Sequence, residues 1–208
     1  MTNRVLAVVA LSFVVFAFGC TKNNTDQFVI DLQQMTPDDT AQKREAVMLV
    51  NRAYEVYHDN DRSEEKRVRE AARMLEEAVR LDPGFATAHM NLGVLHLEQD
   101  NLPTAVVMLR DAQRLLPSDS RPSYFLGVAY YKMGHAKAAV DSYLMAIQID
   151  QADVRAVRGL TLACRSIHYA NDTTLEVLKR SQLREPDEEW RHIIDREIIR
   201  QERQLDMG

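Results

Sequence analysis

Residues 86–119 read ATAHMNLGVLHLEQDNLPTAVVMLRDAQRLLPSD, and residues 120–153 read SRPSYFLGVAYYKMGHAKAAVDSYLMAIQIDQAD. The second stretch restates the first with a period of 34. Leu92-Gly93 becomes Leu126-Gly127, Ala105 becomes Ala139 and Ala112 becomes Ala146. The pattern runs backwards as well, to Ala71, Ala78 and Pro83. A period of this length, with small residues at fixed places, marks a stack of helix pairs in which each unit buries its apolar face against the next.

Within each unit the apolar residues recur at three-and-four spacing. In the first unit this predicts helices over about Ala86–Gln99 and Leu102–Leu115, with Leu92, Gly93 and His96 on one face and Ala105, Leu109 and Ala112 on the other helix. Pro117 stops the second helix. In the next unit Leu126, Gly127 and Tyr130 match the first helix, and Ala139, Tyr143 and Ala146 the second. Asp119 or Ser120 caps its start, with Pro122 in the first turn and Gly134 at the inter-helix turn. A glycine inside a helix costs about 1 kcal/mol relative to alanine. Gly93 and Gly127 therefore mark places where two backbones are expected to pass too closely for a side chain.

Outward from this pair the pattern loosens. Upstream, Glu64–Leu81 reads as a second helix, and Pro37–His58 as its partner with Val50 and Tyr54 inward, started by a Thr36 cap and acidic Asp38 and Asp39. Downstream, Val154–His168 and a helix around Thr174, Leu178 and Ser181 make a further pair, with Thr161 where glycine is expected. Asp187–Leu205 reads as a last helix with Trp190, Ile193, Ile194, Ile198 and Ile199 on its apolar side. Such a helix caps the stack, apolar inward and polar outward. The alternative is a helix that docks a partner.

These residues resemble the tetratricopeptide repeat pattern: a large residue, then leucine-glycine, tyrosine, alanine, an aromatic, alanine and proline. One unit supplies His89, Leu92-Gly93, His96, Ala105, Leu109, Ala112 and Pro117. The next supplies Ser123, Leu126-Gly127, Tyr130, Ala139, Tyr143, Ala146 and Gln151. The resemblance spans about Pro37 to Pro186 and implies an all-α solenoid of about four helix hairpins, the outer ones degenerate, closed by a C-terminal capping helix. It implies a non-enzymatic scaffold that binds a protein segment, extended or helical, on an inner wall built from the first helices. The wall positions here are Thr87, Met90, Val94, Leu97 and Glu98, then Arg121, Tyr124, Val128, Tyr131 and Lys132, then Arg155, Arg158, Leu162, Arg165 and Ser166. That wall is apolar and aromatic at its centre and basic at one end, where arginines would meet acidic groups of a partner. An alternative arrangement covers part of it with residues 21–35 or with the last helix. The family's carboxylate clamp for chaperone tails needs asparagines where Val94 and Val128 stand, so this chain lacks it.

The first twenty residues read as an address. Arg4 precedes fourteen residues, Val5–Phe18, that are apolar apart from Ser12. This length suits a secretory signal and falls short of the roughly 20 residues of a membrane span. Ala17-Phe18-Gly19-Cys20 resembles the lipobox of bacterial lipoproteins, with departures at Ala17 and Phe18. The resemblance implies cleavage of residues 1–19, lipidation of Cys20 and a periplasm-facing protein on the cell envelope. Thr21, in place of aspartate, favours the outer membrane. Residues 20–35 then form a tether with a root-mean-square reach of roughly 20 Å, in which Phe28, Val29, Ile30 and Leu32 are suited to a short docking helix. Residues 36–186 carry the repeats, and 187–208 the capping helix and tail. Lipoproteins with these repeats include pilotins for secretins or type IV pili, and scaffolds that recruit peptidoglycan hydrolases.

Other chemistry is absent from the pattern. A net charge of -5 argues against nucleic-acid binding, which needs a basic footprint. His89 and His96 stand seven residues apart, about 10.5 Å of helical rise, too far to share a metal ion. No Cys-x-x-Cys pair, phosphate-cradling glycine loop or nucleophile elbow occurs. No enzyme, cofactor or metal is expected, and Cys164 reads as a small buried hydrophobe. The sequence leaves the oligomeric state open.

Overall fold

The computed structural model describes residues 40–61 and 63–207. The signal segment, Cys20, the tether, Thr36 and Pro37 lie outside the described residues. Among the described residues the chain is all helix. It runs α1 (Ala41–Tyr57), α2 (Glu64–Leu81), α3 (Ala86–Glu98), α4 (Leu102–Leu115), α5 (Ser120–Lys132), α6 (Ala136–Ile149), α7 (Val154–Ser166), α8 (Asp172–Gln182) and α9 (Glu188–Asp206). Within the described residues α1 starts at Ala41, where the Thr40 side chain accepts from the Lys43 amide at 3.3 Å.

Successive helices pack as hairpins, α1 on α2, α3 on α4 and α5 on α6, and α4–α5 and α6–α7 contacts join one hairpin to the next. This stacking explains why first and second helices differ. α3 lies between its own partner and the neighbouring hairpins, and buries residues on every side, from Ala88 through Leu97. α4 buries one stripe, Ala105, Leu109 and Ala112, and turns its remaining faces outward.

The 34-residue period persists in the backbone where the side chains no longer repeat. Asp100, Gly134 and His168, each 34 apart, hold positive φ of 61°, 77° and 51°. After each, an amide reaches back five residues: Asn101 to the His96 carbonyl at 2.8 Å, His135 to Tyr130 at 2.8 Å, and Tyr169 to Cys164 at 2.9 Å. This is the left-handed helix stop that satisfies the last carbonyls of a helix. Glycine fills it without strain only at 134, while aspartate and histidine tolerate it elsewhere.

The two helix glycines make room for a side chain. A Cβ on Gly93 would lie 2.7 Å from Leu109 Cγ, and one on Gly127 would lie 2.5 Å from Tyr143 Cε1. The expected backbone-to-backbone approach is thus corrected: Leu109 and Tyr143, both fully buried, occupy the glycine notches. Tyr143 is held from the other side by Gly159, whose Cβ would also lie 2.5 Å from the ring. Thirty-four residues earlier the corresponding pair is Leu109 and Phe125, so the larger residue has changed sides of the joint. Thr161, in the expected glycine place, is buried with its hydroxyl donating to the Val157 carbonyl at 2.8 Å.

α9 packs on α7 and α8 as a closing helix. Ile194 and Ile198 are buried, whereas Ile199, expected inward, is 47% exposed. A polar network fastens the joint. The Thr174 hydroxyl donates to Gln201 Oε1 at 2.8 Å, Gln201 Nε2 donates to Glu197 Oε1 at 2.9 Å, and Arg200 donates both to Glu197 and to the Tyr169 carbonyl. Asn171 and Thr174 form a reciprocal capping box at the start of α8. Cys164 is fully buried, and burial, with Glu197 nearby, pushes its thiol up to about 12.

Candidate functional site

The expected inner wall divides into three sets. Met90, Leu97, Tyr124 and Val128 are buried, between 1% and 7% exposed, and work as packing between hairpins. Thr87, Val94, Tyr131 and Leu162 are half-buried. The cationic members are mostly engaged within the chain. Lys132 Nζ lies 2.8 Å from Asp100, Arg155 Nε lies 3.1 Å from Asp153, and Arg158 Nη2 lies 2.5 Å from Glu185. Arg121 pairs with Asp119 at 2.5 Å. The basic end expected to meet acidic groups of a partner is therefore neutralised by the chain's own carboxylates, apart from exposed Arg165.

Local sequence explains two of these pairs. Asp119 and Asp153 are the N-caps of α5 and α7, each accepting from the backbone amide two residues on and from the arginine side chain at that same place. Carboxylates suit helix N-termini, so the arginine is recruited to a charge already fixed there. The Asp119 carboxyl is lowered overall, because its hydrogen bonds and ion pair to Arg121 outweigh burial, the largest single influence. Arg155 also lies over the Tyr124 ring at 4.9 Å.

The third pair closes the wall at its C-terminal end. Glu185 is 4% exposed and stands just before α9. Arg158 is clamped between its two oxygens and the Trp190 ring, 5.1 Å from the guanidinium carbon. The segment leading into the closing helix thus covers one expected binding residue.

The N-terminal part of the wall carries a feature the spacing argument passed over. Asn91 on α3 is 1% exposed, and neither its Oδ1 nor its Nδ2 has a hydrogen-bond partner. It lines a notch of about 20 Å³ with Val50, Ala53, Tyr54, Tyr57 and Val94. That volume admits one small polar group. Beside it the Tyr57 hydroxyl donates to Glu98 Oε2 at 2.5 Å, and burial holds the Glu98 carboxyl above its usual range despite that bond. The signal in sequence is slight: an amide between Met90 and Leu92 in a helix that buries residues on every side.

The two histidines of α3 serve packing. His89 is buried with Nε2 3.0 Å from the Pro83 carbonyl, and partial burial lowers the His96 imidazole. Among the described residues no group of three or more His, Cys, Asp or Glu is placed to hold a metal ion, and no helix is long and apolar enough to cross a membrane.

Two tetratricopeptide repeat family models match the chain, one over residues 61–120 and one over residues 121–153. A TPR repeat-containing protein of Pseudomonas aeruginosa is 39% identical over 64 residues, which cover 31% of this chain and 26% of that protein. The chain thus spans about a quarter of the length of the curated relative it matches. Among solved structures, YrrB, described as a TPR protein with an unusual peptide-binding site, superposes with a TM-score of 0.58 at 18% identity over 75% of this chain and 86% of its own. MamA superposes with a TM-score of 0.53 at 16% identity, over 69% and 91%. An O-GlcNAc transferase of Thermobaculum terrenum does so with a TM-score of 0.56 at 23% identity, over 68% of this chain and 27% of the enzyme. These structural likenesses speak for the fold alone. Repeat spacing, glycine notches, left-handed helix stops and family matches agree: the chain is a tetratricopeptide repeat protein, built on a fold that supports protein–protein interaction.

Proposed function

We propose that this protein is a non-enzymatic adaptor that takes an extended or helical segment of a partner protein along its inner wall, with its N-terminus held on the bacterial envelope by lipid at Cys20. The observation that carries the binding role is Asn91. A buried amide lacking both its donor and its acceptor partner is rare in folded proteins, because each unmet group costs roughly 1–3 kcal/mol. A carboxamide offers one donor face and one acceptor face, the complement of a peptide group. Half-buried Val94, which lines the same notch, supplies adaptable apolar surface beside it. The peptide-binding site in YrrB's description supports a peptide role for the fold. With Lys132, Arg155 and Arg158 already paired, the partner segment is uncharged or weakly charged where it meets them.

Binding to an immobilised array of random-sequence peptides tests this reading. Asn91→Leu keeps the branched side-chain skeleton, removes the unmet amide, and is expected to hold or raise stability while abolishing the peptides selected by the parent. An unchanged peptide selection overturns the groove assignment. Anchoring is tested apart from it, by metabolic labelling with radioactive palmitate: label present in the parent and absent in Cys20→Ser supports lipidation, and no label in either rejects it.

A further inference from the structure

A second surface lies on the closing helix, away from the Asn91 notch. Arg196, Ile199, Arg200, Arg203 and Met207 follow one stripe of α9 and, with His168, line an open concavity of about 520 Å³. Its charge differs in kind from that of the inner wall. Arg200 is tied to Glu197 and to the Tyr169 carbonyl. Arg196 spends only its Nε, on the His192 carbonyl at 3.3 Å, and neither Arg196 nor Arg203 forms an ion pair among the described residues. The wall arginines 121, 155 and 158 each have a carboxylate, in a chain of net charge -5. Arg196 and Arg203 thus set two guanidinium groups without a carboxylate partner on one stripe, either side of an exposed apolar side chain. Between them Ile199 is 47% exposed, and Met207, at the end of the stripe, is 83% exposed.

We propose that this stripe docks an acidic segment of a protein partner, with carboxylates spaced to meet Arg196 and Arg203 and an apolar side chain set on Ile199. The two arginines are seven residues apart, about 10.5 Å along the helix. Three residues of an extended peptide span about the same distance. The planar fork of arginine matches a carboxylate in two parallel hydrogen bonds. The concavity favours an inserted segment over a flat lipid surface. The inference does not depend on the inner-wall reading, since it uses a different helix and an acidic segment where that wall takes a weakly charged one.

Fluorescence anisotropy with a labelled peptide of Glu-Glu-Leu repeated four times tests it on the full chain. Binding is expected to weaken with added salt. The double variant Arg196→Glu with Arg203→Glu should reduce affinity by about tenfold or more, as reversal of paired charges does. Both residues are on the surface, so its melting temperature should match the parent's, and Arg180→Glu with Arg191→Glu should bind like the parent. Equal affinity for a Ser-Ser-Leu peptide, or no effect of the double reversal, overturns the proposal. So does the pattern in which phosphatidylglycerol–phosphatidylcholine vesicles, and not the peptide, are bound through these arginines. That result assigns the stripe to a lipid surface.

Discussion

The central repeats and the C-terminal joint are both helix-on-helix interfaces, held together in different ways. Between α5, α6 and α7 the contact is one of shape: the Tyr143 ring lies in a slot between Gly127 and Gly159. Between α7, α8 and α9 it is one of partners: Thr174, Gln201, Glu197 and Arg200 in one network, Arg158 and Glu185 in another. A joint of shape tolerates change if volume is kept, which is how Leu109 with Phe125 is replaced by Tyr143 with Gly159 one repeat later. A joint of partners tolerates little, since removing one member strands the others away from water. The first kind repeats along a chain, and the second ends it.

The sharpest way to break the repeat joint is Gly127→Leu. A Cβ already falls 2.5 Å from the Tyr143 ring, so overpacking should cost about 3 kcal/mol or more. Urea denaturation should show this, and an unchanged midpoint would remove Tyr143 from the notch. The matching break at the C-terminal joint is Arg158→Ala, which leaves nearly inaccessible Glu185 without its cation. A loss of about 3 kcal/mol is expected. The paired replacement Arg158→Met with Glu185→Met should recover most of it, a recovery that a joint of shape would not show.

The next effect lies beneath the cap. The Cys164 thiol is raised from 9.0 to about 12, so the folded chain keeps a proton that the unfolded chain releases between those values. Its contribution to stability is complete below pH 9 and is lost as pH rises toward 12, at up to about 1.4 kcal/mol per pH unit. Cys164→Ala should flatten that slope relative to the parent in melting curves taken across this range. Parallel slopes would mean that the cap leaves the thiol wet. The smallest effect is Tyr143→Phe. The Tyr143 hydroxyl is buried without a hydrogen-bond partner. Its removal should leave stability unchanged or raise it by up to about 1 kcal/mol. A clear loss would show that the ring's slot is chemical as well as steric.

Much of the fold was legible because its signals are local. The spacing of apolar residues places α2 at Glu64–Leu81 and α4 at Leu102–Leu115, the bounds the structure shows. α3 stops one residue early, at Glu98, because Asp100 turns left-handed just beyond it. The wall was less legible. Position within a repeat says which way a residue faces, and it put Met90 and Tyr124 on the inner wall as residues open to a partner. Whether such a residue remains accessible depends on how closely the next hairpin seats, and here both are covered. Asn91 escaped notice because an amide in a helix is unremarkable until its surroundings are known to offer it nothing.

By itself, then, the sequence determined the repeat, its helices and the places where a side chain must be missing, because each follows from contacts within a few turns of one hairpin. Tertiary structure alone decided which charges stay uncompensated. Arg158 meets Glu185 across 27 residues and Lys132 meets Asp100 across the turn of the preceding hairpin, while Arg196 and Arg203 meet no carboxylate among the described residues. An ion pair forms over a few ångströms, and only the seating of one helix on another brings distant residues that near.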